Sequence, residues 1–432
     1  MTDALPNLRH MRVFLETVRS GSVSTAAERC RLSQPAATQA IARLESDIGT
    51  PLLVRRTRLF TPTAAGALFV NRVEAALAHL HNGARAALRS GVRDGPGWRA
   101  SGSRPAFDHL VTAAQLRAMI AVAGSGSFTV AAQQLGLSQP TVHRAARSLE
   151  DIAGVSFFQT TVSGVELTSA AQAFVLGAKL ASAEIRQGFE EIGRELGNDR
   201  GTFTLGSLPL ARSSIVPAAT HALISETQGV QVRVVDGRYP ELLRSLREGD
   251  LDCLIGALRS PAPADDVIQE PLFDDAMAIV AHPDHPLAGK RGVTLEDTLD
   301  YPWVAPPKST PAGSYLFETL RIQERPQTPV RVVSSSLVFL RGLLAAGNYV
   351  SIVSLHQVAT ELADAHIAPL DVALTNNWRS IGLTYRESWR PTATQARFMD
   401  LLRAAAPVAT APDGPPPVSD EQPRIAAKSR EG

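Results

Sequence analysis

Residues 20–45 read SGSVSTAAERCRLSQPAATQAIARLE, and residues 125–150 read SGSFTVAAQQLGLSQPTVHRAARSLE. At an offset of 105 the two segments are identical at 12 of 26 positions. Upstream, Phe14 matches Met119 and Leu15 matches Ile120 at the same offset. Self-similarity at a fixed offset marks a repeated structural unit. Two copies are too few for a solenoid, so the chain carries a tandem duplication.

Each copy parses into helices. Leu8, Met11, Phe14, Leu15 and Val18 recur at three- and four-residue steps, as an amphipathic helix requires. Gly21 ends that helix, and Ser24 is the expected cap of a short Ala-rich helix running to about Arg29. Cys30, Arg31 and Leu32 then form a tight turn. Ser33 caps a third helix, with Pro35 in its first turn, where a missing N–H is harmless. Ala37, Ile41 and Leu44 make its apolar face, and Gln34, Thr38, Gln39 and Ala42 point elsewhere. Two short helices joined by such a turn are a helix-turn-helix. Leu52 to Val54, then Arg55, Arg56 and Arg58, then Leu59 and Phe60 predict a hairpin, a wing beside it.

Outward from the repeat, residues 64–92 read as one long helix and 93–105 as a Gly/Pro/Ser linker. The second copy falls at about 109–166, followed by a second long helix at 169–196. From Gly201 the pattern changes. Apolar β-runs at Thr202–Leu208, Val230–Val235, Leu251–Ala257, Met277–Ala281, Val330–Val333 and Val350–Val353 alternate with helical stretches. An α/β domain with a largely parallel sheet is expected. Residues 407–432, rich in proline and charge, are expected to be a disordered tail. The expected division is 6–66, a first winged helix-turn-helix; 67–108, helix and linker; 109–167, a second winged helix-turn-helix; 168–198, helix; 200–406, α/β domain; 407–432, tail.

Composition bounds the function. The chain has 432 residues, a prior of roughly three folding units at about 150 residues each. Hydrophobic residues are 44% and charged residues 20%, enough to bury sizeable cores. The formal net charge of +1 advertises neither nucleic acid nor acidic substrates, so only local charge can speak. Two cysteines, Cys30 and Cys253, exclude a disulfide scaffold and a cysteine-based zinc site. No apolar run approaches the roughly 18 residues of a membrane span, and the N-terminus lacks the apolar core of a secretory signal. A soluble cytoplasmic protein is expected. The chain has no GxSxG, HExxH, P-loop or GxGxxG pattern. His282 and His285 flank Asp284 between prolines and read as a turn rather than a metal site. Cys253, beside Leu254 and Ile255, reads as a buried small hydrophobe. No catalytic residues, metal or cofactor are expected, and the chain is not expected to be an enzyme.

The helix-turn-helix with SQP opening its third helix resembles the N-terminal domain of LysR-type transcriptional regulators. The likeness continues through the long helix into the α/β region. GDLDCLIGALR at 249–259, AHPDHPLA at 281–288 and AAGNYVSIVS at 345–354 resemble landmarks of the family's effector-binding domain. LPLARSSIVPAA and the segment VVDGRYPELLRSLREGDLDCLIGALRSP are similar to a subgroup of regulators of sugar-binding-protein genes. The resemblance implies an effector-responsive regulator that binds double-stranded DNA as a homodimer or homotetramer, with the linker helices pairing subunits. Family members normally carry one winged helix-turn-helix; this chain carries two.

Local charge weighs the copies against each other. Residues 8–70 hold nine arginines and four acids, a balance of +5, whereas residues 112–176 hold three arginines and three acids. The chain has 39 arginines and four lysines, a bias that acts on both copies alike. Phosphate contacts supply most of the affinity for DNA, so the first copy is the better reader. Arg55 and Arg56 of the first wing are replaced by Thr160 and Thr161 in the second. By the resemblance, the base-reading positions are Gln34, Pro35, Thr38 and Gln39, with Arg55 near phosphate or minor groove. The family often has arginine where Gln39 stands. Arg43 and Arg56 join this set through their placement. Glutamine suits adenine, and threonine suits a hydrogen bond or a thymine methyl. The second copy keeps Gln139, His143, Arg144 and Arg147, which either reach DNA or leave that copy as a packing or dimerisation module.

The α/β region resembles a two-lobed periplasmic-type binding fold, whose ligands sit between lobes at strand ends. Ser207, Arg212 and Ser213 follow the first strand. Asp236 and Gly237, Ala257 and Arg259, and Lys308, Ser309 and Thr310 are further rim candidates. Hydroxyls with one arginine predict a small polar effector, a sugar or a carboxylate. The alternative is a cytoplasmic small-molecule binding protein without a gene-regulatory role. The basic first copy argues against it.

Overall fold

A computed structural model describes residues 5–56, 59–90, 107–161, 164–325 and 329–407. The first part of the chain runs α1 (Leu8–Ser20), α2 (Val23–Arg29), α3 (Gln34–Ile48), a hairpin of β1 (Leu53–Arg56) and β2 (Leu59–Pro62), and the long α4 (Ala64–Ser90). After a 3-10 turn at Phe107–Leu110 the same order recurs. It comprises α5 (Ala113–Ser125), α6 (Phe128–Leu135), α7 (Gln139–Ala153), β3 (Phe158–Thr161), β4 (Gly164–Leu167) and α8 (Ser169–Glu195). The expected boundary at 66/67 therefore falls inside α4. Arg58, the 93–105 linker and residues 408–432 of the tail lie outside the described residues, as do the Thr160 and Thr161 side chains.

The repeated sequence explains the repeated geometry. Gly21 and Gly126 close their helices in the left-handed region, at φ 68° and 65°, which a residue without Cβ adopts at little cost. Ser22, not Ser24, caps α2. Its extended backbone turns Oγ toward the Thr25 N–H at 3.3 Å, while Ser24 already lies within the first turn. Arg31 makes the turn between α2 and α3 at φ 54°. Ser33 caps α3, as its sequence position requires. Glu45, near the end of α3, accepts the Leu52 and Leu53 N–H groups at 2.7 and 3.0 Å and so fixes the approach to the first hairpin. Glu150 repeats this on Phe157 and Phe158, at 2.7 and 3.1 Å.

Helices α4 and α8 lie antiparallel against each other. Phe69 lies beside Gly188 and Gly83 beside Gly177, and the Ser169 hydroxyl donates to the Ser90 carbonyl at 3.3 Å. A Cβ on Gly177 would stand 2.5 Å from the His79 carbonyl oxygen, so only glycine permits this approach. One continuous apolar core, from Leu8 to Ile192, runs through both copies and both long helices. Within one chain, α4 packs on α8.

The α/β part comprises β5 (Thr202–Ser207), α9 (Ile215–Glu226), β6 (Gln231–Asp236), α10 (Tyr239–Arg247), β7 (Cys253–Ala257) and β8 (Val267–Ala281). It continues through α11 (Leu295–Thr298), β9 (Trp303–Ala305), α12 (Pro311–Ser314), β10 (Val330–Val333), α13 (Leu337–Ala346) and β11 (Val350–Ser354). It closes with α14 (Ala359–Ala363), β12 (Ala368–Pro369), β13 (Trp378–Arg386) and α15 (Ala393–Ala405). Strand order is β10-β9-β11-β8-β13-β7-β5-β6. The pairs at each end are parallel, but β8 pairs antiparallel with β11, β12 and β13, and β13 with β7. The sheet is thus mixed rather than largely parallel. The physical cause is that β8 crosses from one lobe to the other and β13 covers its first half in the opposite direction. Each lobe has its own core, one around Phe203, Ile255 and Phe398 and one around Trp303, Leu316 and Ile352. Cys253 is fully buried in β7, where burial raises its thiol pKa far above the ordinary range.

Candidate DNA-reading helices and the cleft between the lobes

Helix α3 buries Ala37, Ala40, Ile41 and Leu44 and turns Gln34, Pro35, Thr38, Gln39 and Arg43 to the outside. The expected reading positions thus share one exposed face. The Thr38 hydroxyl donates to the Gln34 carbonyl at 3.1 Å, which holds that side chain along the helix. Beside the helix, Arg55 and Arg56 are exposed on β1, with Arg55 opposite Phe60. Successive strand residues point to opposite sides, so these two cations reach two directions.

Not every arginine of the first copy is available to phosphate. Arg12 pairs with Asp108 at 3.1 Å, Arg19 with Glu16 and Glu74 at 3.0 and 2.6 Å, and Arg29 with Glu16 at 2.8 Å. Arg9, Arg31, Arg43, Arg55 and Arg56 have no carboxylate partner among the described residues. In the second copy Arg147 pairs with Glu150 at 2.6 Å, leaving Arg117 and Arg144. The charge difference between the copies survives pairing. Gln139, His143 and Arg144 lie exposed on α7, with the His143 ring edge-on to Phe128 at 5.0 Å.

Between the lobes is a cavity of about 560 Å³. Tyr239, Arg259, Lys308, Ser309, Thr310, Tyr315 and Arg379 line it. Arg379 is neutralised by the buried Asp275 at 3.0 Å. Arg259 lies over the Tyr239 ring at 4.5 Å and Lys308 near the Phe317 ring at 5.3 Å, neither with a carboxylate partner among the described residues. A reciprocal pair of hydrogen bonds from Gln269 to the Arg259 backbone, at 2.8 and 2.7 Å, fixes the segment that carries Arg259. The Tyr239 hydroxyl is buried without a hydrogen-bond partner.

Of the rim candidates, Ser309 and Thr310 line this cavity, together with Arg259 and Lys308. Ser207, Arg212, Ser213, Asp236 and Ala257 do not. Ser207 is fully buried, and Arg212 pairs with Asp236 at 3.1 Å and donates to the Ser207 carbonyl. Strand-end placement identifies the rim, but a carboxylate one strand away consumes the arginine charge. Tyr239, Tyr315 and Arg379 carried no sequence signal, because three separate segments bring them together. His285 is buried, and its Nδ1 accepts the Leu287 N–H at 3.1 Å within a turn.

Comparisons with known proteins agree with this layout. The family described as "Bacterial regulatory helix-turn-helix protein, lysR family" matches residues 8–67 and again 113–172. The family described as "LysR substrate binding domain" matches residues 196–407. The HTH-type transcriptional regulator GalR of Pseudomonas putida is 32% identical over 401 residues, covering 92% of this chain and 97% of that protein. The HTH-type transcriptional regulator PcaQ of Agrobacterium fabrum is 29% identical over 300 residues, 69% of this chain and 96% of that protein. Among solved structures, a full-length OxyR variant from Pseudomonas aeruginosa shares the fold, with a TM-score of 0.50 and 24% identity over 68% of this chain and 93% of that one. No helix among the described residues is long and apolar enough to cross a membrane. Helix-turn-helix, long helix and two-lobed effector domain occur here in the order and extent that these matches require, and the chain belongs to the LysR family of transcriptional regulators.

Proposed function

We propose that this ligand-responsive regulator reads DNA chiefly through the exposed face of α3 in its first winged helix-turn-helix. Gln34, Pro35, Thr38 and Gln39 lie against base edges in the major groove, and Arg43, Arg55 and Arg56 lie against phosphates or the minor groove. The second winged helix-turn-helix, through Gln139, His143 and Arg144, is the weaker reader. The observation that carries this reading is the set of five exposed arginines without carboxylate partners in the first copy, against two in the second, among the described residues. The unit division follows the same order: two heads, each with its long helix, then the effector domain. The protein acts in the cytoplasm and is not an enzyme. Homodimers or homotetramers belong to this reading, although α4 and α8 already occupy each other.

The effector is a small anion, a carboxylate in preference to a sugar. Among the described residues, Arg259 and Lys308 supply positive charge to the cleft without a carboxylate partner. Ser309 and Thr310 add hydroxyls. This class rests on the cleft's charge and not on the narrower likeness to regulators of sugar-binding-protein genes. Closure of the lobes on the effector shifts the population between two arrangements of the heads. A thermal-shift screen of the full chain tests this. Small carboxylates are expected to raise the melting temperature, and Arg259→Ala with Lys308→Ala to abolish the rise. Stabilisation by neutral sugars alone, or by long-chain acyl compounds alone, contradicts it. A gel shift at low salt separates the regulator from a binding protein without a gene-regulatory role.

A further inference from the structure

Helices α4 and α8 have equal length, follow equivalent hairpins at an offset of 105, and pack antiparallel within one chain. Their contacts come in mirrored pairs. Phe69 meets Gly188 with its ring, and the Phe174 carbonyl meets Gly83; each pair of positions is the other shifted by 105. Arg72 meets Glu184, and Gly177 meets His79, again shifted by 105. An interface in which i meets j, and the equivalents of i and j meet in return, has the two-fold form of a self-complementary dimer contact. Here both halves belong to one chain.

The pairing is also heterotypic. Arg72, almost fully buried, donates to Glu184 at 2.9 Å, to Gln187 at 2.7 Å, and to Glu191 through two nitrogens at 3.1 and 2.5 Å. The positions of α4 equivalent to these three partners are His79, Asn82 and Ala86. A pairing of α4 with α4 of another chain would bury Arg72 without a carboxylate. A pairing of α8 with α8 would bury Glu184 opposite Gly177. Either costs an uncompensated charge that the α4–α8 pair avoids. The chain path agrees: it leaves α4 at Ser90 and is again beside α4 at Asp108, whose carboxylate lies 3.3 Å from His81.

We propose that a single chain is an internal pair of DNA heads that reads an operator of two unlike half-sites. This rests on the DNA-binding reading of both copies. The heads precede opposite ends of an antiparallel pair about 40 Å long at a rise of about 1.5 Å per residue, which is of the order of one turn of B-DNA. Their reading faces begin alike, with Gln34-Pro35 and Gln139-Pro140, and then diverge: Thr38 against His143, Gln39 against Arg144, Arg43 against Ser148. Gln39 suits adenine and Arg144 suits guanine. The half-sites therefore share one part and differ in the next.

Selection of bound sequences from a random duplex pool with the full chain tests this. Two half-sites with a common part and a divergent part are expected. Thr38→His with Gln39→Arg and Arg43→Ser, all on an exposed face, should convert the selected operator into two like half-sites. A perfect inverted repeat from the unaltered chain, or one half-site only, overturns the inference while leaving the regulator reading intact. Absence of any enriched sequence overturns that reading instead, and the inference with it. The internal pairing has its own test in Ser90→Cys with Ser169→Cys. Oxidation should yield a crosslinked product of one-chain mass. A product of two-chain mass, or no crosslink, overturns the pairing.

Discussion

The two helical units, α1 to α3 and α5 to α7 with their hairpins, differ in which positions they keep and which they change. Of the positions identical between the copies, most hold the fold. Ser20 and Ser125 bond back to the preceding turn, Gly21 and Gly126 end their helices, and Ser22 and Ser127 cap the next ones. Leu44 and Leu149 fill the core, while Glu45 and Glu150 hold the hairpins. The outward positions 38, 39 and 43 have all changed at 143, 144 and 148. Caps, closing glycines and hairpin anchors are kept, while the exposed faces of α3 and α7 share Gln34-Pro35 and Gln139-Pro140 and diverge beyond them. The long helices differ for another reason. Helix α8 has a second neighbour, the effector domain, which Lys179 touches through Glu248 and Asp250 at 2.6 and 2.7 Å.

The largest expected effect is where the copies are least alike. Arg72→Ala leaves Glu184 and Glu191 partly or fully buried without their cation, and should cost about 3–5 kcal/mol in urea denaturation. Asn82→Ala, at the α4 position equivalent to the Arg72 partner Gln187, should cost little. Equal losses would mean that the charge cluster does not organise the helix pair.

Next is the pH effect of one carboxyl in α8. Glu190 stands where α4 has the exposed Arg85, and burial beneath the effector domain pushes its carboxyl up to about 7, against the Thr202 N–H bond that lowers it. The folded state then holds a proton that the unfolded state has released. The Glu190 contribution should fall by roughly 2–3 kcal/mol as pH rises from about 4.5 to about 7, at about 1.4 kcal/mol per unit, while His10, His79, His285 and His356, lowered by burial, gain stability over the upper part of that window and oppose it. Buried Asp252, also raised by desolvation, acts in the same direction. Glu190→Gln should remove that contribution, read as the difference between the two pH profiles. An unchanged slope would assign it elsewhere.

A matched pair tests the preserved positions. Glu45→Ala and Glu150→Ala each lose two hydrogen bonds from backbone amides, and each should destabilise by about 2 kcal/mol, the half-exposed Arg147 pair adding only about 0.5 kcal/mol for Glu150. Clearly unequal values would break the equivalence of the copies.

The smallest effects separate the reading surfaces. Thr38→Ala or Gln39→Ala should cost about 1–3 kcal/mol per lost base contact and relax sequence preference. Arg55→Ala with Arg56→Ala should weaken binding on all sequences and reduce the salt slope by about 0.9 per lost phosphate contact. His143→Ala with Arg144→Ala should cost less than the first-copy changes. Loss of specific binding from the second-copy changes alone would reverse the order of the readers. Truncation after Ala406 should leave operator affinity unchanged.

The repeat was legible because local rules write it: apolar steps of three and four, serine caps and closing glycines. Only the cap of α2 moved, from Ser24 to Ser22, since two serines two residues apart offer the same local signal. The sheet was less legible. Trp303–Ala305 is too short to stand out, and Trp378–Arg386 alternates weakly, because Ile381 to Thr384 are buried on both faces of the sheet. Without those strands the antiparallel centre is invisible. In the cleft, Ser309 and Thr310 were found from placement, together with Arg259 and Lys308. The fate of Arg212 could not be read, since Asp236 lies 24 residues away along the chain. The partners of Arg72 lie more than a hundred residues beyond it, where no local periodicity can announce them.

The α4–α8 pair also removes a variable. Two separate chains that must meet before they can act lose their paired form as they are diluted, because association depends on concentration. Two helices joined in one chain meet at a local concentration set by the connecting segment, whatever the number of molecules present. A cell holding only a few copies of this protein would still hold every one of them with its long helices already matched.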